Sequence, residues 1–169
     1  MASADTAGDG AQPATQVLFY GLNMDAGVLA QKGVHCTRLL PARLDGHAVV
    51  VRDKAILSPQ PGACAYGTVA SLRAADLDKL YAALSEYGSV RMVVYPFDAA
   101  DPDGRRGEPI HALAMVRTPA RLEADVDAHY LARWQLIMAR LHLPFPDAFD
   151  RNMFERGPGR MPGLAACVY

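Results

Sequence analysis

Between Val34 and Val116 the chain strings together β-branched and apolar runs punctuated by proline and glycine, with no helices at regular spacing between them. That order excludes a doubly wound βαβα sheet, and no G-x-G-x-x-G stands after any of the runs. Val34 to Arg52 alternates in a broken way, with Pro41 and Asp45-Gly46 marking a bend between two strands. Ile56 to Gly62 reads as a loop, because Pro59 and Pro61 remove backbone donors and Gly62 relaxes the chain before a strand over Ala63 to Leu72. Val90 to Phe97 and Ile110 to Val116 read as two more strands around a polar loop, Asp98 to Gly107.

The helices lie between and after these strands. Asp25 to Lys32 forms one or two turns closed by Gly33. Ala74 to Ser85 puts Leu77, Leu80, Tyr81 and Leu84 on one face, with Asp76 in the first turn, where its charge complements the dipole. Thr118-Pro119 introduces a long helix through Leu141, with Val126, Tyr130, Leu131, Trp134, Ile137 and Met138 at core spacing. The expected class is α+β, as a barrel or a curved mixed sheet.

With 169 residues, 51% of them hydrophobic, the chain suffices for one domain with a sizeable core. Residues 1–15 read as a disordered leader without a cationic start or apolar segment, 16–154 as the domain, and 155–169 as a loosely held Gly/Pro-rich tail. A formal charge of -1 and the lack of a long basic run argue against nucleic acid or an anionic membrane as partner. No run reaches transmembrane length. Cys36, Cys64 and Cys167 are odd in number and widely spaced, which fits neither a disulfide framework nor a zinc knuckle, and so points to a reducing, cytoplasmic setting.

The first apolar run, Val17-Leu18-Phe19, feeds into Tyr20-Gly21-Leu22-Asn23-Met24. This junction is either an ordinary turn or a concave binding loop. Gly21 permits unusual backbone angles, Asn23 can bond its own main chain, and successive amides turned toward one point suit a carboxylate. Other candidates have plainer readings. His35 and Cys36 are neighbours on an extended segment and so face apart, which disfavours a nucleophilic pair. Asp125 and His129, one helical turn apart, read as an exposed pair with no third metal ligand. Arg38, Arg43 and Arg91 are surface charges that could meet a substrate carboxylate, and Tyr66 and Tyr95 are core or rim residues. Arg105-Arg106 is a solvated loop tip.

Taken in order, these signals resemble the γ-glutamylcyclotransferase-like (AIG2-like) family, whose first strand runs into a Tyr-Gly-Ser-Asn-Leu/Met loop. Leu40 to Gly46, Ala55 to Gly62 and Tyr66-Gly67-Thr68-Val69-Ala70-Ser71-Leu72 are similar to its second strand, Pro-Gly loop and Gly-x-Val strand. Asp76-Leu77-x-x-Leu80 follows on the helix, and Pro119, Tyr130-Leu131 and Leu143-Pro144 resemble its closing segment. The resemblance spans residues 16 to 154. It implies a small mixed β-barrel with flanking helices and a cavity beside Tyr20, Gly21, Leu22, Asn23 and Met24, which would bind the substrate. The implied reaction cyclises a small γ-glutamyl amine or peptide to 5-oxoproline and frees the amine, without cofactor or metal. Oligomeric state is left open.

In such a reaction the substrate's own amine attacks its γ-carbonyl, so the protein supplies attack geometry and a carboxylate that moves protons. Two departures stand out. Leu22 replaces the loop serine, which removes a hydroxyl and keeps the backbone donors. An ungapped count from Asp76 sets Leu84 where the family has its glutamate, and Glu86 lies two residues further on. Glu86 is therefore the candidate acid/base. The competing readings are a non-catalytic protein that binds small carboxylates on the same scaffold, and a partner-binding domain that uses the Asp98 to Gly107 loop.

Overall fold

The computed structural model describes residues 14–101, 106–117 and 124–145. The expected leader and tail lie outside these residues, apart from Ala14 and Thr15. Five strands close into a barrel in the order β1 (Thr15–Phe19), β3 (Ala55–Leu72), β2 (Leu40–Val51), β4 (Tyr87–Pro96), β5 (Ile110–Arg117). The pairing of β1 with β5 is parallel and the others are antiparallel, so the barrel is mixed. Helices α1 (Ala26–Gln31), α2 (Ala74–Ala83) and α3 (Ala128–Arg140) complete the α+β fold expected from the strand pattern.

β3 corrects the reading of Ile56 to Gly62 as a loop. The strand runs through these residues for 18 positions, because the irregularity is absorbed within the ladder. Asp45 pairs with Cys64 but His47 pairs with Pro59, so Gln60 to Ala63 bulge out opposite Gly46. Gly46 and Gly62 take φ of 71° and 81°, the left-handed region that a side chain resists. Both prolines are exposed: Pro61 lies within the bulge, where no ladder donor is required, and Pro59 pairs with His47 at its edge. Likewise Val34 to Arg52 holds one strand, β2, bent at Gly46, and not two. This bend lets the β2–β3 hairpin carry its tip, Arg52 to Lys54, to the end of the barrel where β1 and β5 finish.

Gly67 is the point of closest approach. A Cβ there would stand 2.1 Å from the Phe19 carbonyl oxygen, so only glycine lets β3 pass the end of β1. Leu18, Val69, Val94, Ala112 and Ala114, which the register places on one face of the closed sheet, are all buried, as is Val17 on the other face. α3 packs on it through Leu131, Trp134, Ile137 and Met138, as the periodicity predicts. Its start does not follow that reading. Asp127 caps the helix by accepting from the His129 and Tyr130 N–H groups, and Val126, expected in the core, lies before the first turn and is exposed. Residues 118–123 lie outside the described set. α1 is capped by Asp25 and closed by Gly33, whose φ is 70°.

On α2, Leu80 is buried as expected, and so is Asp76, at 1% exposure. Burial opposes its ionisation, but hydrogen bonds from Arg73 at 3.0 Å and Lys79 at 3.4 Å outweigh that and hold its carboxyl below the usual range. Lys79 also donates to the Gly33 carbonyl, so Asp76 helps fasten α2 to the end of α1.

Two outcomes follow for stability. Gly67→Ala forces a methyl into the Phe19 carbonyl and should lower stability by ~3 kcal/mol or prevent folding, as read from urea midpoints; a midpoint within error of the parent would refute the close approach. Asp76→Asn should cost ~1–2 kcal/mol at neutral pH. A depressed native pKa adds stability above the unfolded value of about 4 that disappears as pH falls through the native value. The gap between Asp76→Asn and the parent should therefore close on acidification, and a pH-independent gap would show that the charge is not its source.

Candidate functional site

β1 delivers Tyr20 to the end of the barrel, and the chain then turns through a 3-10 turn, Leu22–Met24. The turn consumes its own amides: Met24 N–H donates to the Gly21 carbonyl at 3.1 Å and Asp25 N–H to that of Leu22 at 3.2 Å. Asn23 does not close on its own main chain; its side-chain oxygen accepts from Lys32 Nζ at 2.7 Å. The Tyr20 hydroxyl donates to the Met115 carbonyl and faces the Leu57 amide, which makes this phenol a buried strut between β5 and β3. Trp134 Nε1 on α3 donates to the Tyr20 carbonyl at 2.9 Å and pins the start of the loop.

Tyr130, one turn before Trp134, explains Gly21. The Leu22 and Ala55 amides face its hydroxyl oxygen, and a Cβ on Gly21 would stand 2.8 Å from that oxygen. The amides that the sequence reading turns toward a carboxylate thus converge in part on a phenol. A tyrosine oxygen that accepts from the backbone keeps its own proton for donation.

The charged part of the site comes from the ends of distant elements. Arg117, the last residue of β5, is buried with its side chain only 3% exposed. Its Nη1 holds both oxygens of Asp53 on the hairpin tip, at 2.7 and 2.8 Å. Its Nη2 holds Glu86 Oε2 at 2.8 Å, and its guanidinium lies 5.8 Å from the Tyr87 ring centroid. The hydrogen bond to Asp53, then that to Glu86, raises the Arg117 pKa against the opposing effect of burial, so it is a fixed cation. Burial pushes the Tyr87 hydroxyl up to about 12 and raises Tyr20 and Tyr130 as well, so all three phenols are neutral donors at ordinary pH.

Beside this cluster lies an open depression of about 120 Å³ lined by Lys54, Ala83, Leu84, Ser85, Glu86 and Tyr87. Leu84 ends α2 and packs partly against the core, while the Glu86 side chain is 55% exposed. Both positions that compete for the role of the glutamate therefore border one recess.

The remaining candidates stand elsewhere. Arg43 is held by Asp45 at 2.6 Å, near Cys64 and Tyr66. Tyr66 packs edge-on against Phe97, and Tyr95 lies under Arg106, whose side chain reaches Asp45 from the Asp98 to Gly107 loop. Arg38, Arg91, Asp125 and His129 are exposed. Cys36 and Cys64 form no disulfide; the Cys64 thiol donates to Asp45 Oδ1 at 3.7 Å, and burial raises the Cys36 pKa, which disfavours a reactive thiolate. Cys167 and Arg105 lie outside the described residues. Among the described residues no group of three His, Cys, Asp or Glu side chains is arranged for a metal, and no helix is long and apolar enough to cross a membrane. Asp53, Arg117, Tyr87 and Tyr130 escape a sequence reading of the site. The one local trace is an arginine that closes the apolar run Ile110 to Val116.

No family model matches the chain, and no curated protein does. Solved structures do resemble it. A γ-glutamyl cyclotransferase structure superposes with a TM-score of 0.59 at 13% identity, over 90% of this chain and 94% of that one. A yeast γ-glutamyl cyclotransferase specific to glutathione gives 0.57 at 13%, over 85% and 94%. YkqA from Bacillus subtilis gives 0.61 at 17% over 75% of this chain, which spans only 49% of YkqA. At these identities the likeness speaks for the backbone, and with its closed mixed barrel and flanking helices the chain has the γ-glutamylcyclotransferase-like fold.

Proposed function

We propose that the chain is an enzyme of γ-glutamylcyclotransferase type, which converts a small γ-glutamyl amine or peptide to 5-oxoproline and the free amine. The observation that carries this reading is the position of Glu86: it borders the same recess as Leu84, and Arg117 joins it to the tyrosines around the Tyr20 loop. In the proposed reaction Glu86 takes a proton from the substrate's α-ammonium, the freed amine attacks the γ-carbonyl, and the proton is returned to the leaving nitrogen. No cofactor is required by this balance. The neutral phenols of Tyr87 and Tyr130 offer donors to the oxyanion or to the substrate carboxylate. In this reading the loop Tyr20, Gly21, Leu22, Asn23 and Met24, which does not itself line the recess, acts on the substrate through the Tyr130 hydroxyl that it seats.

Sites that enclose drug-sized ligands run to roughly 300–1,000 Å³. The recess of about 120 Å³ suits the glutamyl end alone, so the amine portion extends beyond it.

A second reading rests on Leu84. With a leucine where the glutamate is expected and Glu86 engaged by a buried guanidinium, the same recess would bind a glutamate-like carboxylate without turnover. Release of 5-oxoproline from a panel of γ-glutamyl compounds separates the two. The enzyme reading expects turnover that falls by about 10²-fold or more in Glu86→Gln. Turnover unchanged in Glu86→Gln removes Glu86 from the chemistry. Calorimetric binding with no product from any compound selects the second reading.

A further inference from the structure

Three charged residues are tied together at the end of the barrel: the Arg117 guanidinium holds the carboxylates of Asp53 and Glu86 on separate nitrogens. Asp53 alone, gripping Nη1 with both oxygens, satisfies the guanidinium as an ion pair. Among the described residues Arg117 is the buried cation; the other arginines in ion pairs, Arg43, Arg73, Arg106 and Arg140, have side chains 23% to 71% exposed. Its Nε is also buried and has no hydrogen-bond partner. A buried guanidinium that spends its two outer nitrogens on carboxylates from two different elements fixes where those carboxylates lie.

We propose that Arg117 is a positioning residue for this site: its buried fork fixes the Glu86 carboxylate at the rim of the recess and shares its charge between Glu86 and Asp53. The inference rests on the reading of Glu86 as the acid/base. The Glu86 side chain is half-exposed and leaves the short turn between α2 and β4, outside the helix. Arg117 fixes that side chain from the end of β5, where it is the register partner of Tyr87. Asp53 moderates the effect. With Asp53 claiming Nη1, Glu86 meets a cation already half neutralised, so its basicity is reduced less than an undivided pair would reduce it. Among the described residues, the other ionisable groups that face the cluster are Tyr20 just after β1, Lys54 from the hairpin tip, Tyr87 from β4 and Tyr130 from α3.

The test follows the Glu86 carboxyl carbon by NMR through a pH titration, with the signal assigned by its loss in Glu86→Gln. In Arg117→Met the Glu86 midpoint should rise by about one pH unit, and in Arg117→Lys, which keeps the charge and loses the fork, by less. Asp53→Asn leaves Arg117 in place and should move the midpoint the other way, downward, because Glu86 then has the guanidinium to itself. If Arg117→Met does not fold, Asp53→Asn and Arg117→Lys decide the matter. A Glu86 midpoint unmoved in both overturns the proposal. In the 5-oxoproline assay, Arg117→Lys should lower kcat roughly ten- to a hundredfold with KM little changed, and its acid limb should follow the NMR midpoint. A purely structural role predicts lower stability with an unshifted limb. Should the parent turn over no γ-glutamyl compound, the functional reading fails while the titration still decides whether Arg117 positions Glu86.

Discussion

The contact on which the architecture depends is the passage of Gly67 over the Phe19 carbonyl. A barrel of five strands has a tight interior, and closing it requires β1 to be gripped by β3 on one side and by β5 on the other. The grip on the β3 side is so close that even a methyl group has no room. Because Phe19 immediately precedes Tyr20, the same contact sets where β1 ends and where the loop begins. The Gly-x-Val strand and the Tyr-Gly loop, far apart along the chain, are two halves of one steric requirement.

A second glycine repeats the logic one layer outward. Gly21 leaves space for the Tyr130 hydroxyl, and Trp134 on the same helix bonds the Tyr20 carbonyl. α3 thus reads the loop at two points a turn apart, once through a phenol and once through an indole. The Asp127 N–H adds a third tie, to the Arg52 carbonyl at the hairpin tip. The loop, the hairpin tip and the helix start are therefore held as a unit on a rigid barrel, which is what a site that must hold a substrate in attack geometry needs.

What the amino-acid order reveals is what is local. The turn after Phe19, the capped helix from Asp25 to Gly33 and the apolar face of α2 each carry their signal within a few residues. Pro59 and Pro61 mislead because proline reports on a missing donor, and at a bulge no donor is needed; β3 runs on through them. The start of α3 misleads because an apolar residue at helical spacing, Val126, precedes the capping Asp127, and the cap outranks the periodicity. Arg117 and Asp53 are separated by 64 positions, and nothing in either neighbourhood marks the other. Their meeting depends on the bend at Gly46 and Gly62, a property of the paired strands and not of any one segment.

The same bend bears on Leu84 and Glu86. An acid/base at the end of α2 can be held by the helix itself, in which case its position along the chain is fixed. At position 84 the chain spends its side chain on packing, since Leu84 lies against the barrel's core. A carboxylate two residues later has left the helix and requires an external hold. That hold is available only if an opposing cation is brought to the same rim and is itself kept from collapsing onto Glu86 alone. The hairpin tip meets the second condition by bringing Asp53 to Arg117, and β5 meets the first by ending on it. Under the proposed mechanism the leucine in the helix and the arginine at the end of β5 are complementary: α2 spends position 84 on the core, and Arg117 orients the carboxylate of Glu86.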